Sequence, residues 1–386
     1  MLKNTSNAIK IQKFILTLTG LWPEEHPTLY GKISGRISVV TAIIFTATLI
    51  AEAIKQIGNY VVLIEHLSLI ISPTSFLIKL IMFLRKTGQF VRLYRNLDMD
   101  IFNKHPDQFN TIKRKSETTS AVIGLSYMFS CFVITFFFCA RPLYTSANMP
   151  VRFSFEMGQY KPIVAVFQIF CMFNAALSNS CLDVIAMTLM GIASVQIDIL
   201  NRNITNFKKE CDESATGTDG YIRYLNHCVK HHNEIIRYIG DIEEVFSLVF
   251  LAQYLTSGAL ICNIGFLLVH IRGLNLQFFN TVFYFAAMMC QLGMYCWFGN
   301  EIIVKVNICA IFLSSDTKTA CYESDWIDCE VKVRKILIII MERSKRPLFL
   351  TAGKFSVLSL NSFTTVMNSS YTYFALMQKL YSKTNN

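Results

Sequence analysis

Charged residues are scarce in this sequence. Only 16% of its 386 residues are Asp, Glu, Lys or Arg, whereas a soluble domain normally carries about 25%. Hydrophobic residues make up 53%, with 31 Phe and a mean hydropathy of +0.40. Proline (8) and glycine (17) are too few for a collagen-like or low-complexity chain. The composition therefore indicates that much of the protein surface contacts lipid.

Catalytic and nucleotide-binding motifs are missing as well. Gly353-Lys354 lacks the upstream glycine of a phosphate-binding loop, and no nucleophile motif or carboxylate pair can be assigned to a cleft. His227, His231 and His232, together with Cys228, have the i, i+4 spacing of metal ligands, but they lie in a polar helix and no further ligand is evident. The basic residues behind the net charge of +10 lie between apolar runs, not in one patch. The sequence thus predicts no enzyme, no cofactor, no metal and no nucleic-acid partner.

Apolar runs long enough to cross a bilayer recur along the chain. A helix needs about 20 residues to span the hydrocarbon core, and an open sheet cannot satisfy its backbone hydrogen bonds in lipid. The sequence predicts an all-α membrane protein with seven transmembrane helices in a single domain over 1–386. The runs lie at 37–57, 60–84, 120–143, 163–195, 246–270 and 276–304, with a more polar one at 354–378.

Basic residues in the connections predict the orientation. One side of the membrane receives 27 Lys and Arg and the other side 7, and the basic side is usually cytosolic, although it is also the longer one here. We therefore expect a cytosolic amino terminus and an extracellular carboxyl terminus. A G-protein-coupled receptor inserts the other way round. The chain also lacks its Asp-Arg-Tyr and Asn-Pro-x-x-Tyr motifs, so we expect no G protein.

Two other interpretations of the chain concern transport and the segments outside the membrane. A transporter should show an internal repeat and broken helices, yet only Pro73 interrupts a span. Helical sequence continues past the fourth span to Leu200, and a polar helix at 221–245 leads into the fifth. Residues 326–346 contain an apolar run of six, too short to span. These extensions suit subunit contacts, with independent surface helices as the alternative.

The last predicted span carries a polar stripe at helical spacing. Such a stripe should face protein or water rather than lipid. It is consistent with a cation pathway, or with hydroxyls that bond to their own backbone and Asn368 bridging two helices. Leu376 interrupts the stripe, and a ring of such residues can close a pore by excluding water. The stripe consists of Asn361, Thr365, Asn368, Thr372, Leu376 and Lys379.

Aromatic residues are concentrated in the outer halves of the third, fourth and sixth spans. Pockets for small volatile compounds are apolar with few polar groups, but a bundle core or a lipid-facing surface also contains many aromatic residues. Glu65 and Lys79 are ionisable residues inside a span, located either near the interface or opposite a partner within the bundle, with a transport site as the alternative. The aromatic group includes Phe132, Phe136, Phe138, Phe167, Phe170, Tyr284 and Phe285, with Asn174 as a hydrogen-bonding neighbour.

The carboxyl-terminal third contains motifs that resemble those of insect odorant receptors. The resemblance extends over the whole chain but is sharp from about residue 221. It is to odour-tuning subunits of the kind expanded in wasps, bees and ants, rather than to the shared co-receptor. The motifs are Gly20-Leu21-Trp22-Pro23, Glu243-Glu244-Val245-Phe246-Ser247, Tyr295-Cys296-Trp297-Phe298-Gly299-Asn300-Glu301, Arg346-Pro347-Leu348, Thr351-Ala352-Gly353-Lys354-Phe355 and Ser370-Tyr371-Thr372-Tyr373-Phe374.

The resemblance implies a ligand-gated, non-selective cation channel in the plasma membrane of olfactory sensory neurons. The chain would join the odorant co-receptor in a heterotetramer around one pore. Cytosolic segments 196–245 and 305–352 would form the anchor, and a seventh helix at 353–379 would line the pore. A small hydrophobic odorant would bind between the second, third, fourth and sixth helices. The expected pocket residues are Phe132, Phe136, Phe167, Phe170, Asn174, Tyr284 and Phe285, and the expected anchor residues are Trp326, Leu337, Ile340, Met341 and Pro347.

Overall fold

The computed structural model is helical apart from one short hairpin in the residues it describes. These are 7–26, 28–55, 60–103, 107–144, 149–151, 158–205, 207–208, 218–271, 273–314, 329–344 and 348–384. The helices are α1 (Asn7–Leu18), α2 (Leu29–Lys55), α3 (Tyr60–Arg85), α4 (Thr87–Asn96), α5 (Asp100–Asn103), α6 (Asp107–Cys139), α7 (Arg141–Tyr144), α8 (Lys161–Thr205), α9 (Thr218–His270), α10 (Leu276–Ser314), α11 (Val331–Ser344) and α12 (Leu360–Thr384).

Six helices among the described residues are long and apolar enough to cross a membrane. They are α2, α3, α6, α8, α9 and α10, and each corresponds to one of the six strongly apolar runs of the sequence. This confirms the predicted all-helical class. The seventh predicted span corresponds to α12, a helix of 25 residues that is more polar than the other six.

The two longest helices extend well beyond the thickness of a bilayer. Helix α8 has 45 residues and α9 has 53. At 1.5 Å per residue they are about 68 and about 80 Å long, against a hydrocarbon core of about 30 Å. The sequence-based expectation that the fourth span continues to Leu200, and that the polar 221–245 segment leads into the fifth, is confirmed in these two helices.

Helix α8 lies at the centre of the bundle. It packs against α1, α6, α9 and α10, and its residues from Ser180 to Gly191 are all buried. A helix that is apolar on all sides must be surrounded by other apolar elements. The surrounding helices α3, α6, α9 and α10 therefore present both a face to α8 and a face to the outside.

A hairpin between α11 and α12 fixes the start of the last helix. Strands β1 (Thr351–Ala352) and β2 (Ser356–Val357) pair antiparallel. The hairpin is held on α9, since the Thr351 amide donates to Glu243 Oε2 at 2.7 Å and the Gly353 amide donates to the Ser247 carbonyl at 2.9 Å. The Thr351 hydroxyl also donates to Glu243. Helix α12 begins at Leu360, so these bonds set its position against α9.

Gly353 is suited to this turn in two ways, and both predict the effect of a substitution. Its φ is +62°, and a Cβ there would lie 2.5 Å from the Leu251 side chain. We expect Gly353→Ala to lower the free energy of unfolding by about 1–3 kcal/mol, measured by thermal unfolding in detergent. The control is Gly240→Ala in α9, where a Cβ meets nothing within 4 Å and alanine should be neutral or stabilising. Equal melting temperatures for the two variants would contradict this.

Candidate functional site

A buried ion pair joins two of the apolar helices. The Lys79 ammonium on α3 lies 2.7 Å from Asp183 Oδ1 on α8, and both side chains are 0% exposed. The ammonium also donates to Gln253 Oε1 on α9 at 2.7 Å. Of the two locations that the sequence allows for Lys79, the structure shows the one inside the bundle. Charges at such a position require partners, because burial removes their hydration.

The Asp183 carboxylate accepts four further hydrogen bonds. Tyr295 donates to Oδ1 at 2.8 Å, and Tyr127 and Asn179 donate to Oδ2 at 3.3 and 3.4 Å. Gln291 donates to Oδ2 as well. We call Lys79, Asp183 and these donors, together with Gln253, the charge network. It joins side chains from α3, α6, α8, α9 and α10, so it connects five helices at the centre of the bundle.

The central member of this network, Asp183, was not predicted from the sequence. Asp183 lies about twenty residues after Pro162, where the apolar run reaches the length of one bilayer crossing. A carboxylate at such a position normally marks the end of the span. The available signal was that Asp183 stands within a continuous helix-compatible stretch, while Lys79, 104 residues earlier, lies in another apolar run and needs a partner.

A cavity of about 130 Å³ adjoins the charge network. Most of its wall is apolar, and Asn179 connects the wall to Asp183. The helices that form it are α2, α3, α6, α8 and α10, with Val151 from the connection before α8. We call it the core cavity. Its wall includes Phe45, Phe76, Phe138, Met172, Asn179 and Tyr284.

Two further depressions lie nearby. A cavity of about 370 Å³ beside the α9–α10 connection shares Phe138 and Tyr284 with the core cavity. A groove of about 810 Å³ runs between α6 and α10 on the outside of the chain, and Phe129, Phe283 and Trp297 line it. These three aromatic side chains are more than half exposed. The groove therefore belongs to the outer surface of the bundle, whereas the core cavity lies inside it.

The candidate pocket residues occupy different environments. Tyr284 lines the core cavity and its neighbour. Phe132, Phe136 and Phe170 are 44%, 54% and 53% exposed on the outside of the chain. The remaining candidates are half-buried: Phe167, Asn174 and Phe285. Only Tyr284 of the seven is in the wall of the core cavity, and residues that sequence analysis left out, above all Asn179, complete that wall.

The polar stripe of α12 lies on its exposed side. On the opposite side, the Ser370 hydroxyl donates to the Gly258 carbonyl of α9 at 3.2 Å. Two stripe hydroxyls, those of Thr365 and Thr372, donate to carbonyls one turn earlier at 2.9 Å, as the backbone-bonding alternative expects. The stripe is therefore exposed in the described part of this chain. Its exposed members are Asn361, Thr365, Asn368, Thr372, Leu376 and Lys379.

Two of the expected anchor residues are buried within the chain itself. Leu337 and Ile340 are each 2% exposed, because α11 packs against α9 and α10 of the same chain. They are therefore core residues and are not available to another subunit. Met341 belongs to α11, although its side chain is not described. Trp326 and Pro347 lie outside the described residues.

Of the three histidines on α9 with metal-like spacing, His231 and His232 are buried within the chain and His227 is exposed. His231 Nε2 lies 2.9 Å from Gln196 Oε1 of α8. Burial, together with the Arg343 guanidinium, lowers the pKa of His232 to about 4, so this side chain is neutral at neutral pH. Among the residues that the structure describes, no group of His, Cys, Asp and Glu is arranged to hold a metal ion.

Comparison with known proteins identifies relatives. Residues 59–371 match the family model described as 7tm Odorant receptor. Odorant receptor 10 of Aedes albopictus is 23% identical over 286 residues, which cover 71% of this chain and 72% of that protein. Odorant receptor Or2 of Anopheles gambiae is 27% identical over 222 residues, which cover 57% of this chain and 56% of that protein.

A solved structure has a similar fold over nearly the full length. The insect olfactory receptor OR5 from Machilis hrabei superposes with a TM-score of 0.77 at 14% identity, covering 96% of this chain and 97% of that one. The same receptor in complex with eugenol gives 0.78 at 15% identity. At this level of identity the similarity establishes the shared fold.

The charge network predicts a characteristic pattern of stability. Lys79→Met or Asp183→Asn alone leaves a buried charge without its partner, which costs about 3–5 kcal/mol. We expect the double variant to lose clearly less than the sum, because neither charge remains while the introduced amide oxygen still accepts hydrogen bonds. Thermal unfolding in detergent measures both effects.

The control for this experiment is an exposed ion pair on α9. Arg237 lies 2.9 Å from Glu234, and its side chain is 65% exposed. Arg237→Gln should cost less than about 1 kcal/mol. Additive losses for Lys79→Met and Asp183→Asn would show that the two side chains do not act as a pair.

Proposed function

The chain belongs to the 7tm odorant receptor family, and we propose that it is the odour-tuning subunit of a ligand-gated, non-selective cation channel. It assembles with the odorant co-receptor as a heterotetramer in the plasma membrane of olfactory sensory neurons. A small hydrophobic odorant opens the channel directly, without a G protein. The family match over residues 59–371 is the observation on which this proposal rests.

The core cavity is the proposed odorant site. It lies between the helices that the family resemblance implies, namely the second, third, fourth and sixth spans, which are α3, α6, α8 and α10. Its wall is largely apolar with a few polar side chains, as expected for a small volatile ligand. The OR5 receptor from Machilis hrabei, which has a similar fold, binds eugenol. This supports a ligand-binding role for the fold.

Helix α12 is the proposed pore lining. Its polar stripe is exposed in the single chain, and amides and hydroxyls are unfavourable in contact with hydrocarbon. In an assembly the stripe must therefore be covered by other subunits or by water. Its uncharged amides and hydroxyls are compatible with cations passing without strong selection. Leu376, which is 51% exposed, is the proposed gate.

The proposed anchor uses a different face of α11 from the one that the sequence suggested. Because Leu337 and Ile340 are buried within the chain, the side chains available to a neighbouring subunit are Val331, Ile338 and Ile339, at 58%, 52% and 62% exposed. This apolar surface lies outside the six spans. Association with other subunits would remove it from water, which is favourable in proportion to its area.

Dependence on the co-receptor is the direct test of function. Expressed alone, this chain should give little or no odour-evoked current, and with the co-receptor it should give a robust current within milliseconds. Inhibition of G proteins should leave that current unchanged. A tag after Asn386, which the proposed orientation places outside the cell, reports arrival at the surface on intact cells. Large currents from the chain alone, or loss of current without G proteins, would refute the proposal.

The gate predicts a change in basal current. Water that enters a narrow apolar throat loses hydrogen bonds, so a ring of Leu side chains resists wetting. Leu376→Ala in the co-assembled channel should raise the current without odorant several-fold and leave the odour rank order unchanged. The matched control is Leu360→Ala, which truncates an exposed leucine of the same helix outside the stripe. An unchanged basal current with altered odour selectivity would assign Leu376 a packing role.

A further inference from the structure

Asn179 forms part of the wall of the core cavity and also belongs to the charge network. Its Nδ2 donates to Asp183 Oδ2 at 3.4 Å. Its Oδ1 is fully buried and has no hydrogen-bond partner among the described residues. A buried acceptor without a donor is destabilising, and any molecule that supplies a donor at this point removes that cost.

Two other polar side chains of the wall, Ser68 and Thr135, already have hydrogen-bond partners. The Ser68 hydroxyl accepts from Asn263 at 2.8 Å and donates to a carbonyl of its own helix. The Thr135 hydroxyl donates to the Cys131 carbonyl at 2.8 Å. The Tyr284 and Ser72 hydroxyls both line the cavity and lie near each other. Among the described residues of the wall, Asn179 Oδ1 is the buried side-chain atom that has no hydrogen-bond partner, and as an acceptor it requires a donor.

We infer that the ligand of this subunit is a small alcohol or phenol whose hydroxyl donates a hydrogen bond to Asn179 Oδ1. The cavity of about 130 Å³ is comparable to an apolar cavity of about 150 Å³ that holds benzene. The apolar body of the ligand is therefore about the size of one six-membered ring. The inference rests on the proposed odorant-gated function, and it names Asn179 as the residue that selects the chemical class.

The position of Asn179 gives the hydroxyl a particular role. The Asn179 amide that accepts from the ligand also donates to Asp183. Asp183 in turn accepts from Lys79, and Lys79 donates to Gln253. An ether or a hydrocarbon of the same shape fills the cavity but leaves Oδ1 without a donor. Discrimination should therefore depend on the O–H group and not on the shape of the ligand.

The experiment compares ligands of matched shape on the chain co-expressed with the co-receptor. The pairs are phenol with toluene, benzyl alcohol with ethylbenzene, and 1-pentanol with hexane. For each pair the ratio of half-activating concentrations is measured in wild type, Asn179→Leu and Thr135→Val. Comparing ratios between variants cancels differences in solubility within a pair. Thr135→Val is the matched control, because it also removes a polar group from the wall, but one that is bonded to the backbone.

We expect Asn179→Leu to shift each ratio by roughly 3- to 10-fold against the hydroxyl member, with little change for the hydrocarbon. Thr135→Val should leave the ratios as in wild type. Ratios that do not move in Asn179→Leu would overturn the inference. So would equal shifts in both variants, since the effect would then be general to the cavity wall.

A second comparison needs no variant and decides the matter if Asn179→Leu fails to reach the surface. Anisole is phenol with the donor hydrogen replaced by a methyl group, so the wild-type channel should require clearly more of it. Equal sensitivity to phenol and anisole, or activation only by compounds without a hydroxyl, would overturn the inference and leave the proposed channel function intact. Absence of current with every class of odorant would refute the proposed function itself.

Discussion

The ion pair between Lys79 and Asp183 determines much of how this bundle is arranged. Two charges at 0% exposure are tolerated only where good geometry and additional hydrogen bonds offset the lost hydration. Tyr127, Gln253 and Tyr295 supply those bonds. Each comes from a different helix, so α6, α9 and α10 must approach α8 at one level and in one rotation. Apolar packing alone would allow several rotations of such helices.

The amino-acid sequence predicts those features of the fold whose signal is local. Hydropathy and helix length predict the six apolar spans and the continuation of α8 and α9, because both depend on consecutive residues. The charge network was not predictable in this way, since its members are up to 112 residues from Asp183. Helical periodicity also fails to show which side of an all-apolar helix faces outward. For this reason the sequence did not reveal that Phe132, Phe136 and Phe170 lie on the outside of the chain.

The motifs behind the family resemblance have a structural explanation. Glu243 and Ser247 bind the backbone of Thr351 and Gly353, so two of the motifs are one contact in the folded chain. In the motif that begins at Tyr295, the Tyr295 hydroxyl donates a hydrogen bond to Asp183. The neighbouring Gly299 leaves room for the last segment, because a Cβ there would lie 2.6 Å from the Leu358 carbonyl oxygen. Together these contacts position α12, whose exposed stripe is the proposed pore surface.

Asn179 and Asp183 are one helical turn apart on α8, and this spacing limits how the cavity can evolve. A substitution at the Asn179 side of the wall also disturbs the residue that holds five helices together, so most changes there reduce stability. The part of the wall that Phe45 and Leu49 on α2 and Met172 on the first part of α8 form contributes no side chain to the charge network. Mutational drift in ligand preference should therefore accumulate in that part of the wall, where volume and shape can change by single methylene groups while the scaffold is preserved.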